Sequence, residues 1–376
     1  AQPAESTGKK VAVIGGGPAG LTTAYDLAML GHAVTIYDAM PALGGMLRYG
    51  IPRYRLPADV LDREIQAILD LGIQAHTGTR VPDPKALLAS QAQTAQAHPD
   101  LPDRQAGLDG AGQFDAVFVA IGAWVGRSLG IPGEDAAGVF NGLKFLGEVN
   151  TGGRPRLGAN VVVIGGGDVA MDAARCARRL DGVQNVRLAC LESRDEMPAH
   201  EWEAEEALQE GVQFHPSLGP TKIIVEGGRV TGVEFRACTR VFDLTTGQAG
   251  DQKRFNPQFD DSRTTILPAD AVIVTIGQGV DGASMTELAM PNGRLGAEAG
   301  TLATSVEGVF AGGDAVSGPA SLVDAMAAAH TAAESIDAYL RGSVRKAAPK
   351  AQAGKESHAP NPNPSAPREP AQPMPQ

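Results

Sequence analysis

Val11-Ala12-Val13-Ile14-Gly15-Gly16-Gly17-Pro18-Ala19-Gly20 is a short apolar run that breaks into glycines and continues as an Ala-rich stretch. The chain repeats the phrase at Val161-Val162-Val163-Ile164-Gly165-Gly166-Gly167-Asp168-Val169-Ala170. Each copy predicts a strand, a tight turn and a helix, the setting in which G-x-G-x-x-G spacing cradles a dinucleotide. Gly15 permits the sharp turn, Gly17 lets the backbone approach a pyrophosphate, and Gly20 lets helix and strand pack closely, with the helix N-terminus facing the anion. In the second copy Gly165 and Gly167 take the first two roles and Ala170 stands in the third place. One such motif is weak evidence. Two, in the same context, predict two dinucleotide sites and an electron relay rather than a lone binding module.

Working outward, Asp38 follows the predicted strand Ala33–Tyr37 and lies roughly 20 residues past the glycines, where an acid accepts hydrogen bonds from adenosine ribose hydroxyls. Gly44 to Pro52 is a glycine-bounded loop too apolar for a simple solvent turn, and a helix is predicted over Ala58–Leu71 with Val60, Ile65, Ile68 and Leu71 as its apolar stripe. Residues 91–113 lack periodicity and read as an inserted surface loop. Phe114 to Gly122 is a buried-type strand ending in glycine, echoed by Ala269 to Gly277, and the two would carry the chain between its nucleotide units. Strands are predicted near Lys222–Val225, Val230–Phe235 and Arg263–Leu267, then one more strand and turn over Gly308–Asp314 and a helix over about Ser321–Leu340. Beyond Gly342, prolines recur from Pro360 to Pro375 among small and polar residues, which predicts a disordered tail with polyproline character.

Composition narrows the class. A chain of 376 residues has room for two or three domains, and 43% hydrophobic content with 47 glycines suits an α/β protein rich in tight turns. The net charge of −11 argues against nucleic acid or an anionic membrane as partner. No apolar run reaches the roughly 18 residues of a membrane span, and Ala1 to Lys10 lacks the apolar core of a secretory signal, so a cytoplasmic location is expected. Only Cys176, Cys190 and Cys238 are present, with no Cys-x-x-Cys spacing; this excludes an internal redox dithiol and a four-cysteine cluster, and the three read as buried thiols. His32, His76, His98, His200, His215, His330 and His358 show no ligand spacing, and Glu201, Glu203, Glu205 and Glu206 read as a solvated helix face.

The order of Gly15–Gly20, Gly44–Pro52, Ala120-Ile121-Gly122, Gly165–Ala170, Glu196-Met197-Pro198-Ala199 and Gly312-Gly313-Asp314 resembles the glutamate synthase small (beta) subunit and its relatives, from about Lys9 to Leu340. That family consists of FAD-dependent NAD(P)H oxidoreductases. The resemblance implies an α/β fold with two Rossmann-type, glutathione-reductase-like dinucleotide-binding domains, the NAD domain inserted into the FAD domain. The expected division is an FAD-binding first segment over 1–125, an NAD(H)-binding domain over 126–277, an FAD-binding second segment over 278–341 and the tail over 342–376. Carried over, FAD would be held by Gly15, Gly17, Pro18, Ala19, Gly20 and Asp38 and by the loop residues Gly45, Leu47, Arg48 and Ile51. Gly122, Gly313, Asp314, Ala320, Ser321 and Leu322 would complete that site, with the helix that begins at the Ser317–Ser321 turn aiming its positive end at the flavin; Asp314 has the alternative role of helix cap. NAD would meet Gly165, Gly167, Asp168, Val169, Ala170, Glu192, Ser193, Arg194 and Gly277.

Two departures sharpen the expectation. Many members carry an N-terminal cysteine-rich cluster domain, whereas this chain starts at its first strand, so electrons are expected to pass to iron–sulfur subunits or a ferredoxin-like protein of a larger complex. NADPH-using members typically carry paired arginines ahead of Glu-Met-Pro-Ala; here the stretch is Cys190-Leu191-Glu192-Ser193-Arg194-Asp195. A carboxylate at Glu192 would bond a free 2′-hydroxyl and repel a phosphate, which favours NAD(H) over NADP(H), although Arg194 remains to meet a phosphate and Glu192 also reads as a solvated acid at a strand end. Flavin and nicotinamide carry the chemistry, so no catalytic side chain and no metal ligand is nominated. The leading expectation is an electron-transfer subunit, for example of a 2-oxoacid oxidoreductase, working in either direction. The alternatives are an NADPH-dependent glutamate synthase small subunit, a free-standing NAD(P)H:acceptor oxidoreductase, and a flavin-binding assembly scaffold.

Overall fold

The structure, a computed structural model, describes residues 2–89, 112–245, 252–282, 285 and 288–342. Its first unit opens with β1 (Lys10–Ile14), α1 (Pro18–Met29) and β2 (Ala33–Tyr37), followed by α2 (Met46–Tyr49), α3 (Ala58–Leu69), β3 (Gln74–His76) and β4 (Ala116–Val119). The short β5 (Val125–Gly126) leads into a second unit of β6 (Val139–Asn141), α4 (Gly142–Asn150), β7 (Asn160–Ile164), α5 (Asp168–Arg178), β8 (Asn185–Ala189), α6 (Glu201–Gln209) and β9 (Gln213–His215). Next come β10 (Leu218–Glu226), β11 (Arg229–Thr245), β12 (Gln252–Pro268) and β13 (Ala271–Val274). The chain returns through β14 (Gln278–Gly279) to β15 (Val309–Ala311), α7 (Asp314–Ser317) and α8 (Leu322–Leu340).

Two five-stranded parallel sheets result, ordered β15-β4-β1-β2-β3 and β6-β13-β7-β8-β9. Strands β1 and β7 are buried from Val11 to Ile14 and from Val161 to Ile164, as expected of central strands covered on both faces. Each is flanked by the strand that follows it and by one from much later in the chain, so each sheet has its switch of strand order at the glycine turn that follows β1 or β7. That is where open α/β sheets bind ligands. Strands β5 and β14 pair antiparallel, Gln278 with Gly126 and Gly279 with Val125, where the chain crosses between the sheets in both directions.

Helices α1, α3 and α8 bury Leu27, Leu61, Ile65, Ala329, Ala332 and Ile336 against one face of the first sheet. Helix α3 ends at Leu69, with Asp70 as its C-cap, and its apolar face is built on Leu61 and Ile65 rather than on Val60. Helices α4, α5 and α6 cover one face of the second sheet, while Ile223, Val230, Val233, Phe235 and Leu267 of a three-stranded antiparallel sheet cover the other. Strands β11 and β12 are 17 residues each, far longer than expected. Register shifts at Arg236/Ala237, Cys238/Arg240 and Arg240/Phe242 break the alternation of apolar and polar positions, so the extension leaves no period-two signal in the sequence. The surface-loop reading of 91–113 falls largely, and the tail wholly from 343 onward, outside the described residues. No helix among the described residues is long and apolar enough to cross a membrane.

Candidate functional site

The two glycine turns are built alike. The Gly15 N–H donates to Tyr37 O at 2.7 Å and the Gly165 N–H to Ala189 O at 2.9 Å. Gly16 O accepts from Gly44 and Gly166 O from Ala199, at 2.8 and 3.0 Å. Both first glycines lie at positive φ, +104° and +144°, and a Cβ there would stand 2.3 Å from Ala120 O in one turn and 2.5 Å from Thr275 O in the other. A side chain fits neither position. A Cβ on Gly20 would stand 1.8 Å from Gly15 O, so α1 packs against its turn more tightly than α5, which carries Ala170 at that place.

The third glycines face outward. A Cβ on Gly17 would meet only the Gly45 Cα, at 3.6 Å, and one on Gly167 would meet nothing within 4 Å. Open space thus lies in front of both turns, at the start of α1 and of α5, where backbone N–H groups point at a bound anion.

The acids that follow are matched less closely. The Asp38 Oδ2 accepts from the Gly16 N–H at 2.6 Å and its Oδ1 from the Met40 N–H at 2.7 Å. Burial outweighs these bonds and raises its pKa. By backbone position the counterpart of Asp38 is the buried thiol Cys190, which follows Ala189 as Asp38 follows Tyr37. Glu192 reaches back from two residues further on: its Oε2 lies 3.1 Å from where a Cβ on Gly166 would stand, against 3.0 Å for the Asp38 Oδ2 and Gly16. Side-chain length makes up the offset, and each turn has a carboxylate over its second glycine. Glu192 lines the cleft and is partly exposed.

Both turns open on one cleft of about 1450 Å³, larger than the roughly 300–1,000 Å³ of single small-ligand sites. Of the residues expected at FAD, Gly15, Gly17, Pro18, Ala19, Asp38, Gly45, Leu47 and Ile51 line it, and so do Gly122, Gly313, Asp314, Ala320, Ser321 and Leu322. Of those expected at NAD, Gly165, Gly167, Asp168, Val169, Glu192 and Gly277 line it. Gly20 and Ala170 lie behind the turns. Burial raises the Asp314 pKa, against a hydrogen bond from the Ala320 backbone. The cap of α8 is Ser321, which forms a reciprocal capping box with Asp324.

Three expected residues stand elsewhere. Arg48 does not line the cleft, because its guanidinium donates to Leu43 O and pairs with Asp62. Arg194 is held by Glu201 at 2.5 Å. The Ser193 hydroxyl donates to Glu196 at 2.8 Å in a capping box and is likewise off the cleft wall. Asp168, though on the wall, is tied to the backbone N–H of His200 and to its ring Nδ1, both at 2.8 Å, which fixes the Glu196–Ala199 loop against the second turn.

Glu203 also departs from expectation. Far from being solvated, it is 0% exposed and pairs with Arg55 and with Arg175 at 3.2 Å. Arg55, on the loop that follows the first turn's apolar segment, also donates to both Asp172 oxygens at 2.8 Å. Burial, only partly offset by that hydrogen bond, pushes the Asp172 carboxyl up to about 6. Burial alone would lower the Arg55 pKa, but Asp172 and Glu203 together hold it above its ordinary value. Tyr54 lies under Arg175 and Arg179, whose guanidinium carbons stand 4.9 and 3.9 Å from its ring centre. The loop at Tyr54-Arg55 therefore fastens the first unit to α5 and α6 of the second.

Other cleft residues carried no sequence signal: Trp124, Arg127, Arg80, Phe255 and Phe259. Both phenylalanines come from β12, in the long hairpin, and Phe259 lies against Gly219, next to Leu218, whose N–H donates to Cys190 O at 2.8 Å. The length and register of that hairpin were not legible, so neither were these residues.

Residues 9–333 match the family described as pyridine nucleotide-disulphide oxidoreductase. The chain is 42% identical over 344 residues to the NADP(+)-dependent formate dehydrogenase subunit beta of Moorella thermoacetica, across 90% of this chain and 45% of that one. It is 35% identical over 370 residues to the NADPH-Fe(3+) oxidoreductase subunit beta of Geobacter sulfurreducens, across 90% and 51%. With the glutamate synthase [NADPH] small chain of Escherichia coli it shares 32% identity over 360 residues, across 89% and 70%. The chain thus spans about half the length of the first two relatives. In fold it resembles FprA of Mycobacterium tuberculosis, solved in complex with NADPH, with a TM-score of 0.69 at 18% identity, across 89% of this chain and 85% of that one.

Proposed function

Since the chain belongs to the pyridine nucleotide-disulphide oxidoreductase family, and within it stands with the glutamate synthase small chains, we propose that it is an FAD-containing subunit that exchanges a hydride with a nicotinamide nucleotide and relays electrons to a partner chain. The observation that carries this reading is the pair of matched glycine turns opening on one cleft, each with free space before its outward glycine and a carboxylate over its second. The first turn, with Asp38, the Gly45–Ile51 loop and Asp314, would hold FAD; the second, with Glu192 and Gly277, would hold the nicotinamide nucleotide.

Once bound, the two cofactors supply the hydride chemistry themselves. The chain's residues orient and enclose. Backbone N–H groups at the starts of α1 and α5 meet the pyrophosphates, and the Asp38 oxygens keep lone pairs for ribose hydroxyls beyond the Gly16 and Met40 bonds. The Arg55 network holds the two units in fixed relation, which is what bringing two rings into register requires.

For the nucleotide, Glu192 supports NAD(H), because a carboxylate over the second glycine repels a 2′-phosphate and Arg194 is engaged by Glu201. The names of the relatives support NADP(H) as a second reading. For the partner, relatives named as beta subunits support an iron–sulfur chain of a larger oxidoreductase.

Anaerobic titration tests the reading. The purified chain should take up FAD and show a flavin spectrum that NADH bleaches faster than NADPH. Protein that cannot take up FAD overturns the proposal, and faster bleaching by NADPH replaces the Glu192 argument with the second reading. Copurification with iron–sulfur chains separates the subunit from a free-standing reductase.

A further inference from the structure

We propose that the adenine ring of the nicotinamide nucleotide lies against one stripe of β12, formed by Phe255, Pro257 and Phe259, an inference that rests on the two-cofactor reading above. All three residues line the cleft, at alternate positions of the strand, so they share one of its faces. The bulges of the hairpin leave this arrangement intact. Phe259 stands opposite Cys238 and Phe255 opposite Phe242, four residues away on each strand. The two register shifts between these pairs therefore cancel, and both rings return to the same face. Pro257 falls at the second shift, and β12 is an edge strand, where a missing N–H breaks no ladder.

Backbone bonds fix the stripe beside the second glycine turn. The Ser217 N–H donates to Glu192 O and the Leu218 N–H to Cys190 O, both at 2.8 Å, so β10 starts on the segment that carries the Glu192 carboxylate. The Cys238 N–H donates to Ser217 O at 2.8 Å, and Cys238 is the residue paired with Phe259. The Phe259 ring lies on Gly219, where a Cβ would stand 2.3 Å from the ring Cε1, and the Arg236 guanidinium carbon stands 3.8 Å from its centre. A glycine and a cation thus hold this ring in place before any ligand arrives. Phe255 leans edge-on against Phe242, with ring centres 6.0 Å apart, and stays 60% exposed.

The chemistry of the ligand decides which part of it belongs there. On the two-cofactor reading the start of α5 takes the pyrophosphate, Glu192 takes the ribose hydroxyls, and the nicotinamide turns towards the flavin. The part that remains is adenine, carried on the ribose that Glu192 holds. Adenine is flat and uncharged, so the carboxylates of the wall do not repel it, and it stacks on phenylalanine without needing a charge partner. An aromatic side chain left 60% exposed beside a ligand cleft is apolar area that a bound ring removes from water.

The test uses the FAD-loaded chain. It compares the full nucleotide, whichever of NADH and NADPH bleaches the flavin faster, with reduced nicotinamide mononucleotide, which has no adenine. Phe255→Ala should lower the second-order rate of bleaching by the full nucleotide about tenfold. The rate at saturation and the bleaching by the mononucleotide should stay as in wild type. ADP-ribose, which carries adenine and no nicotinamide, should lose the same factor as a competitor, and Phe255→Trp should restore both. Phe259→Ala should act in the same direction at a higher cost to folding, since that ring also packs on Gly219. Equal losses for the full nucleotide and the mononucleotide overturn the assignment, and so does ADP-ribose competing with Phe255→Ala as it does with wild type. Unchanged nucleotide kinetics with a weakened hold on a partner chain would make the stripe a protein-docking surface and overturn it as well. A wild-type chain that takes up no FAD fails at the preceding step and condemns the two-cofactor reading instead.

Discussion

The Asp38 carboxylate accepts the backbone N–H of Gly16 at 2.6 Å, closing the first turn from a position 22 residues further along the chain. Its second oxygen takes the Met40 N–H at 2.7 Å, so this acid organises the loop that follows as well as the turn before it. Asp38→Asn replaces one acceptor oxygen by a donor and removes the charge. FAD affinity should fall about ten- to a hundredfold, the range for hydrogen bonds to charged groups. Flavin retained after gel filtration reads the change, and full retention by D38N would show that the ribose is held elsewhere.

Two glycine substitutions should separate folding from binding. Gly20→Ala drives a methyl to within 1.8 Å of the backbone oxygen of Gly15, which cannot swing aside as a side chain would, and should leave little folded protein. Gly167→Ala meets nothing within 4 Å and φ there is −96°, open to any residue, so the melting temperature should move by no more than about 2 °C. NADH affinity should nonetheless fall at least about tenfold, because the methyl occupies the line of approach to the pyrophosphate. A G167A chain that binds NADH as wild type does would remove the second turn from the site.

The buried ion-pair network should be visible in the pH dependence of stability. Asp172 titrates near 6 in the folded chain, above its unfolded value near 3.8. Because the folded state then binds the proton more tightly, the contribution of this group is fully present below about pH 4 and is lost as the pH rises through about 6. Asp172→Asn should flatten that part of the curve of melting temperature against pH; parallel curves for the two proteins would contradict it. Arg55→Ala, which strips a cation from both Asp172 and Glu203, should cost about 3–5 kcal/mol in urea unfolding.

Thiol chemistry offers a further check. Burial pushes Cys176 and Cys190 up to about 12, and it raises Cys238 as well. Thiolate is the reactive form. A disulfide-exchange reagent at pH 8 should label almost none of the three in the native chain within minutes and all three in guanidinium. Rapid labelling of a native thiol would show that the site is open.

The two turns, Asp38 and the central strands were legible because each rests on local chemistry: an apolar run, a glycine that must take positive φ, a helix start. What escaped was decided by residues far apart in sequence. Glu203 shares its helix with Glu201, Glu205 and Glu206, and only the arrival of Arg55 and Arg175 from other elements selects it for burial. Arg48 was placed in the cleft because nothing local announces that Asp62 and Leu43 O will take it. Glu192 was read by its spacing to the arginine positions, but its reach back over Gly166 depends on a two-residue offset from the strand that only the backbone reveals. The hairpin hid behind its own bulges.

The first sheet is finished by β15, which pairs with β4, and α8 then packs on α1, where Thr23 donates to Ala329 O at 3.3 Å. Everything between β5 and β14 is synthesised before that strand exists. The second unit, begun later, therefore has all its strands first, while the unit begun at the first glycine turn waits for the far end of the chain. In the order of synthesis the second glycine turn has its whole sheet before the first one does, and on the proposed assignment the flavin turn is the later of the two to be completed.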